Sequence, residues 1–191
     1  ALAMGCDEAY LLTAREFGGS DTCATAIIIS TALKKIGYDL VITGRQAIDG
    51  DTAQVGPQIA ENLGIPQVSY AEDIDINEDG SAVTVKRQYE DRYHMIEVKT
   101  PCLLTALQEL AEPRYMHAGG IIDAYNKEIK IMGFDDLKND LNPEEIGLNG
   151  SPTKVVTSFG KMAKGAGEKL EATPEEAVAA IIAKMEERHI I

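Results

Sequence analysis

Gly44-Arg45-Gln46-Ala47-Ile48-Asp49-Gly50-Asp51-Thr52-Ala53-Gln54-Val55-Gly56-Pro57 is the stretch on which the reading of this chain turns. Before it runs Asp39-Leu40-Val41-Ile42-Thr43, a short apolar, β-branched segment of the kind that forms a buried parallel strand. After it, Thr52 to Leu63 has helical spacing, with Ala53, Ile59, Ala60 and Leu63 on one side and Gly64-Ile65-Pro66 as the stop. A strand that ends in a glycine-containing loop opening into a helix builds anion sites, because free N–H groups and the positive dipole end meet there. Neither common phosphate loop is present, since both G-x-x-x-x-G-K-[ST] and G-x-G-x-x-G are missing at the turn. A plainer reading stands beside the anion site: Asp51 with Gln54 makes a capping box and the loop is a capped turn. Arg45 favours the anion, offering a planar fork of donors, and Gln46, Thr52 and Gln54 add neutral hydrogen-bonding groups. Asp49 and Asp51 oppose it unless they turn outward or cap the helix.

The rest of the chain supplies the frame. Its 191 residues suffice for a sizeable core, and 45% hydrophobic with 26% charged residues is ordinary for a globular protein. With 31 acids against 18 bases the net charge is -13, which argues against a nucleic-acid partner. No apolar run suits a transmembrane segment and no signal peptide opens the chain. Cys6, Cys23 and Cys102 are odd in number and lack metal-ligand spacing, so they read as small buried residues of a reducing, cytoplasmic protein.

Glu8 to Thr13 reads as a strand. Asp21 caps a helix running to about Ile36, and the strand at Asp39 to Thr43 follows. This βαβ alternation implies a parallel sheet with its ligand at the carboxyl ends of the strands, where Asp21, Thr22 and Thr25 would also sit. From Ala71 the period becomes two around the turn Asn77-Glu78-Asp79-Gly80, predicting an antiparallel meander with Arg87, Glu90, Asp91, Arg92 and His94 at its tip. Pro101 to Thr105 is a further strand. Glu112 to Ile122 is a loop entering a short helix that ends near Tyr125. Lys154 to Phe159 is strand-like or extended, Lys161, Gly165 and Gly167 mark a linker, and Thr173-Pro174-Glu175-Glu176 starts a helix with Ala177, Ile181, Ile182 and Met185 on one face. The division expected is 1–150 for an α/β domain and 151–191 for a C-terminal arm. No nucleophile, general base or metal-ligand set is visible, so no catalytic or metal-binding residue is assigned.

Val41 to Pro57 resembles the nucleotide-binding stretch of the beta subunit of electron-transfer flavoprotein. The resemblance extends to Ala1-Leu2-Ala3-Met4-Gly5-Cys6-Asp7-Glu8-Ala9, Val85-Lys86-Arg87, Lys99-Thr100-Pro101-Cys102-Leu103-Leu104-Thr105 and Glu112-Pro113-Arg114-Tyr115. It implies a Rossmann-like parallel sheet flanked by helices, of the adenine nucleotide alpha hydrolase type, with an antiparallel hairpin extension. It also implies that roughly the family's first quarter is absent here; Ala1 to Gly5 reads as the last turn of a helix closed by glycine. The implied cofactor is FAD, held by Gly44, Arg45, Gln46, Ala47, Ile48, Asp49, Gly50, Asp51, Thr52, Ala53, Gln54 and Val55, with Thr22 and Thr25 alongside. The variant Gly50 to Pro57 is similar to the electron-bifurcating group, in which NADH is the donor, while other members hold AMP alone. The implied partners are the alpha subunit, packed by the C-terminal arm, an acyl-CoA dehydrogenase-type flavoenzyme, and ferredoxin or flavodoxin. Arg114, Tyr115, Met116, His117, Ala118, Gly119 and Gly120 stand where the family docks the dehydrogenase, although Ala118-Gly119-Gly120 replaces a bulky apolar anchor found in some relatives. A universal-stress-like module binding adenine nucleotide without redox chemistry shares the scaffold and remains the alternative.

Overall fold

The computed structural model describes residues 1–160, 165, 167 and 169–191. They fall into two compact units, Ala1–Lys154 and Val155–Ile191. In the first, β1 (Ala9–Leu12) leads to α1 (Thr22–Ile36), β2 (Leu40–Gly44) and α2 (Val55–Leu63). β3 (Gln67–Ile76), β4 (Ala82–Gln88), β5 (Tyr93–Lys99) and β6 (Cys102–Ala106) follow. Then come α3 (Ala118–Tyr125), β7 (Ile129–Met132), and the single turns α4 (Phe134–Leu137) and α5 (Gly147–Gly150).

The expected α/β class, a parallel sheet with flanking helices, is present, but the strands are partnered differently from a simple βαβ unit. β1 pairs in parallel with β7, while β2 pairs in parallel with β6 in a separate five-stranded sheet of order β2-β6-β3-β4-β5. The antiparallel strands are not an appendage either. β3 runs parallel to β6 over Gln67 to Ala71 and antiparallel to β4 from Ala71 to Ile76, so one mixed sheet carries both halves. Leu103 and Leu104 explain why β6 is an interior strand, covered on both faces. Both are fully buried on opposite faces of one strand, Leu103 against α1 and α2 residues and Leu104 among β3, β4 and β5.

Asp21 caps α1 as its sequence predicts, its carboxylate accepting from the amides of Cys23 and Ala24. It also accepts from Thr153 N across the unit, and its own amide donates to Ser151 Oγ. Burial pushes the Asp21 carboxyl up, but the amides of Thr153, Ala24 and Cys23 outweigh it and hold the pKa below its ordinary 3.8. A folded pKa below the unfolded one contributes stability above about pH 4 and loses it as pH falls through the folded value. Asp21→Ala is therefore expected to cost about 1 kcal/mol near neutrality, with a gap to wild type that closes in acid. Urea midpoints of both proteins at neutral and acidic pH measure this.

Of the cysteines only Cys102 is buried; Cys23 is half-buried and Cys6 exposed, which corrects the reading of all three as buried. Cys6 follows the αL residue Gly5 (φ 106) in a surface turn that no core reaches. In the second unit, Val155 to Gly160 forms neither strand nor helix, and Lys161 lies outside the described residues. α6 (Pro174–Glu187) has the reciprocal Thr173–Glu176 capping box, and Val178, Ile181 and Ile182 line one exposed stripe. Among the described residues no helix is long and apolar enough to cross a membrane.

Candidate functional site

β2 and β6 end side by side, Gly44 opposite Ala106, and the chain beyond each strand turns over the same edge. Arg45 stays tied to that edge, its amide donating to Ala106 O. A cleft of about 460 Å³ lies there, bounded by Arg45, Gln46, Ile48 and Asp51 from the first loop and by Leu107, Gln108 and Glu109 from the second. Gln88 from the end of β4 closes a third side. Its size falls within the range of small-molecule sites, roughly 300–1,000 Å³.

Within the loop, Ala47 O accepts from Asp51 N and closes a turn through Ile48, Asp49 and Gly50, all exposed. Asp51 (φ 52) and Ala53 (φ 53) both lie in the left-handed region, uncommon for residues with a Cβ. The helix therefore does not start at Thr52. It starts at Val55, after Gln54, which makes no side-chain cap, so the Asp51–Gln54 capping box is not formed. Pro57 supplies the reason: a helix begun at Thr52 would place proline in its interior, where the ring clashes and an N–H is lost. Starting at Val55 puts Pro57 in the first turn, where no N–H is required.

The two acids that threatened an anion site are accounted for in different ways. Asp51 accepts a hydrogen bond from Gln46 Nε2, which turns a neutral donor toward the acid. Asp49 sits in the exposed turn and is not among the residues bounding the cleft. Arg45 makes no ion pair among the described residues. Its guanidinium lies 5.8 Å from the Tyr70 ring centre, a cation–π contact that leaves its donors free.

Thr22 and Thr25 are not on the cleft. Thr22 Oγ1 donates to Gln54 Oε1, tying the N-terminus of α1 to that of α2, and Thr25 N bonds Asp21 O within the helix. Gln88, Leu107, Gln108 and Glu109 had escaped the reading of the sequence; the strand-end rule applied to Pro101 to Thr105 would have found the last three. Arg114, Tyr115 and Met116 form an exposed segment, but Ala118, Gly119 and Gly120 are the first turn of α3 and not part of the loop. His117 caps that turn, Nδ1 accepting from Gly120 N. Its ring needs the glycines: a Cβ on Gly119 or Gly120 would stand 3.3 to 3.4 Å from the imidazole, and on Gly120 only 2.6 Å from Ala3 O.

A family described as "Electron transfer flavoprotein domain" matches residues 1–136. The chain is 52% identical to the electron transfer flavoprotein subunit beta of Clostridium acetobutylicum over 191 residues, all of this chain and 72% of that protein. It is 54% identical over 192 residues to the Caffeyl-CoA reductase-Etf complex subunit CarD of Acetobacterium woodii, with the same coverage. It is 49% identical over 196 residues to the acryloyl-CoA reductase electron transfer subunit gamma of Anaerotignum propionicum, covering all of this chain and 73% of that protein.

Proposed function

The chain belongs to the beta-subunit family of the electron transfer flavoproteins, and from that premise we propose that it binds FAD in the cleft above Gly44 and Ala106 and works as one half of a heterodimer with an alpha subunit. In this reading the heterodimer takes electrons from NADH and delivers them to an acyl-CoA dehydrogenase-type flavoenzyme and to ferredoxin or flavodoxin, in the cytoplasm. Two of the similar proteins carry the names of caffeyl-CoA and acryloyl-CoA reductase electron-transfer subunits, which supports the acyl-CoA side of the proposal.

The observation that carries the reading is the character of the cleft. Arg45 makes no ion pair among the described residues, and Gln46, Gln88 and Gln108 add neutral donors and acceptors suited to phosphate and ribityl groups, with Asp51 and Glu109 the opposing charges on the lining. When bound, the flavin would supply hydride acceptance and single-electron exit, chemistry that no side chain of this cleft provides. The chain's own residues would bind and orient. Arg45 would offset phosphate charge, the bond to Gln46 keeps the Asp51 carboxylate occupied, and Gly44 and Ala106 leave the strand ends clear.

Arg114, Tyr115 and Met116, with the helix start at Ala118 to Gly120, form the proposed dehydrogenase contact, and the stripe on α6 the proposed contact with the alpha subunit. Extraction and chromatography of the cofactors from the co-expressed heterodimer tests the assignment. Two FAD per heterodimer are expected, one of them bleached first by NADH. One FAD with one AMP would reject bifurcation, and a colourless complex holding ATP or AMP would favour the stress-protein-like alternative.

A further inference from the structure

The two loops that bound the cleft at Gly44 and Ala106 bring opposite charges to it. Of the described residues on its lining, Arg45 is the cation, Asp51 and Glu109 are the anions, and Gln46, Gln88 and Gln108 are neutral. Asp51 is committed, since it accepts from Gln46 Nε2. Arg45 and Glu109 are not. Each lacks an ion pair among the described residues, and they do not pair with one another although they line the same space. Glu109 falls between Lys99 to Thr105 and Glu112 to Tyr115, outside the stretches that carry the family resemblance.

Backbone bonds hold both charges at the strand ends. Leu107 N donates to Ala71 O of β3 at 2.9 Å directly after β6 ends, and a 3-10 turn over Gln108–Leu110 follows. Glu109 is the middle residue of that turn, with its side chain exposed. On the other loop, the bond from Arg45 N to Ala106 O ties the cation to the end of the same strand. Two opposite charges left unspent on one cleft select among ligands. A polyphosphate filling the cleft would meet the carboxylate and be repelled. A ligand of hydroxyls alone would leave Arg45 without its anion. A carboxylate only accepts, and its two oxygens can take two hydroxyl donors at once, whereas a glutamine amide donates as readily as it accepts. The chemistry that satisfies both residues is a phosphate joined to a sugar alcohol.

We propose that Glu109 is a specificity-determining residue of this cleft: it accepts from the hydroxyls of the sugar alcohol next to the phosphate held at Arg45, and its charge excludes ligands that carry a second phosphate there. The proposal rests on the nucleotide reading of the cleft. Two sugar alcohols present this chemistry, the ribose of a 5′-nucleotide and the ribityl chain of a flavin phosphate, each joined to its phosphate through a methylene.

Calorimetric titration of the full 191-residue chain with AMP, 2′-deoxy-AMP, adenosine 2′,5′-bisphosphate and FMN provides the test. The wild-type chain is expected to bind AMP about ten-fold more tightly than 2′-deoxy-AMP, and about ten-fold more tightly than the bisphosphate. Glu109 is exposed, so neither substitution that follows reaches the core. Glu109→Ala is expected to bring AMP and 2′-deoxy-AMP within about two-fold of each other. Glu109→Gln keeps the size and one acceptor without the charge, and is expected to bind the bisphosphate about ten-fold more tightly than wild type does. Should the loss in Glu109→Ala fall on FMN and not on AMP, the hydroxyls are those of the ribityl chain and the role of Glu109 stands. An unchanged FMN affinity, together with a preference for AMP that neither variant alters, would overturn the proposal and leave the nucleotide reading intact. A wild-type chain that binds neither AMP nor FMN would overturn both.

Discussion

Gly56→Val is expected to unfold at a markedly lower urea concentration than wild type and to lose with it the nucleotide binding proposed for this chain. A Cβ at position 56 would stand 2.7 Å from Thr105 Cγ2 and 2.7 Å from Thr43 Oγ1, closer than side-chain atoms approach one another. Thr105 is buried in β6, an interior strand of the sheet, and Thr43 belongs to β2, so neither neighbour is the free end of a flexible chain. The helix must move, and overpacking of this kind costs about 1–3 kcal/mol, more for a branched side chain. Moving α2 also drags Gln54, and with it the loop that carries Arg45 to Asp51. Gly50→Ala serves as the control, since a Cβ there meets nothing within 4 Å. Coincident urea midpoints for Gly56→Val and wild type would show that α2 is not seated on the strands in this way.

The same residue shows where the sequence was legible and where it was not. That a strand, a glycine-bearing loop and a helix follow one another over Leu40 to Leu63 could be read from apolar spacing and from Gly64-Ile65-Pro66. The resemblance of Gly50 to Pro57 to the electron-bifurcating variant pointed only to a ligand at this stretch. At Gly56 smallness instead serves packing, and that needs the positions of β2 and β6, which no local pattern contains. Pro57 was a local signal for the helix start, outweighed by an attractive capping pair. Arg87 was grouped with the charged residues at the tip of the meander; its parity with Val83 and Val85 places it on the buried side of β4. The pairing of β1 with β7 across more than a hundred residues has no signature in composition or period at all.

The last expected result separates the two units by where the chain is cut. Removing everything after Lys154 leaves the first unit intact, whereas removing everything after Gly150 destabilises it. The difference lies in Ser151 and Thr153. Ser151 is buried, and its hydroxyl oxygen accepts from Asp21 N at 2.8 Å and lies 2.7 Å from Gly147 O and 3.2 Å from Gly19 O, within reach as a donor. Thr153 N donates to Asp21 Oδ2, one of the bonds that hold that carboxyl ionised. A cut after Gly150 strips these bonds from the residue that caps α1, and at about 1 kcal/mol each their loss amounts to roughly 2–4 kcal/mol. The longer fragment keeps them. The expected readout is a urea midpoint near that of the full chain for 1–154 and a clearly lower one for 1–150. Only the longer fragment then tests the role proposed for α6, by size-exclusion chromatography with the alpha subunit. If 1–154 still forms a stable heterodimer, the helix stripe of Val178, Ile181 and Ile182 is not the interface.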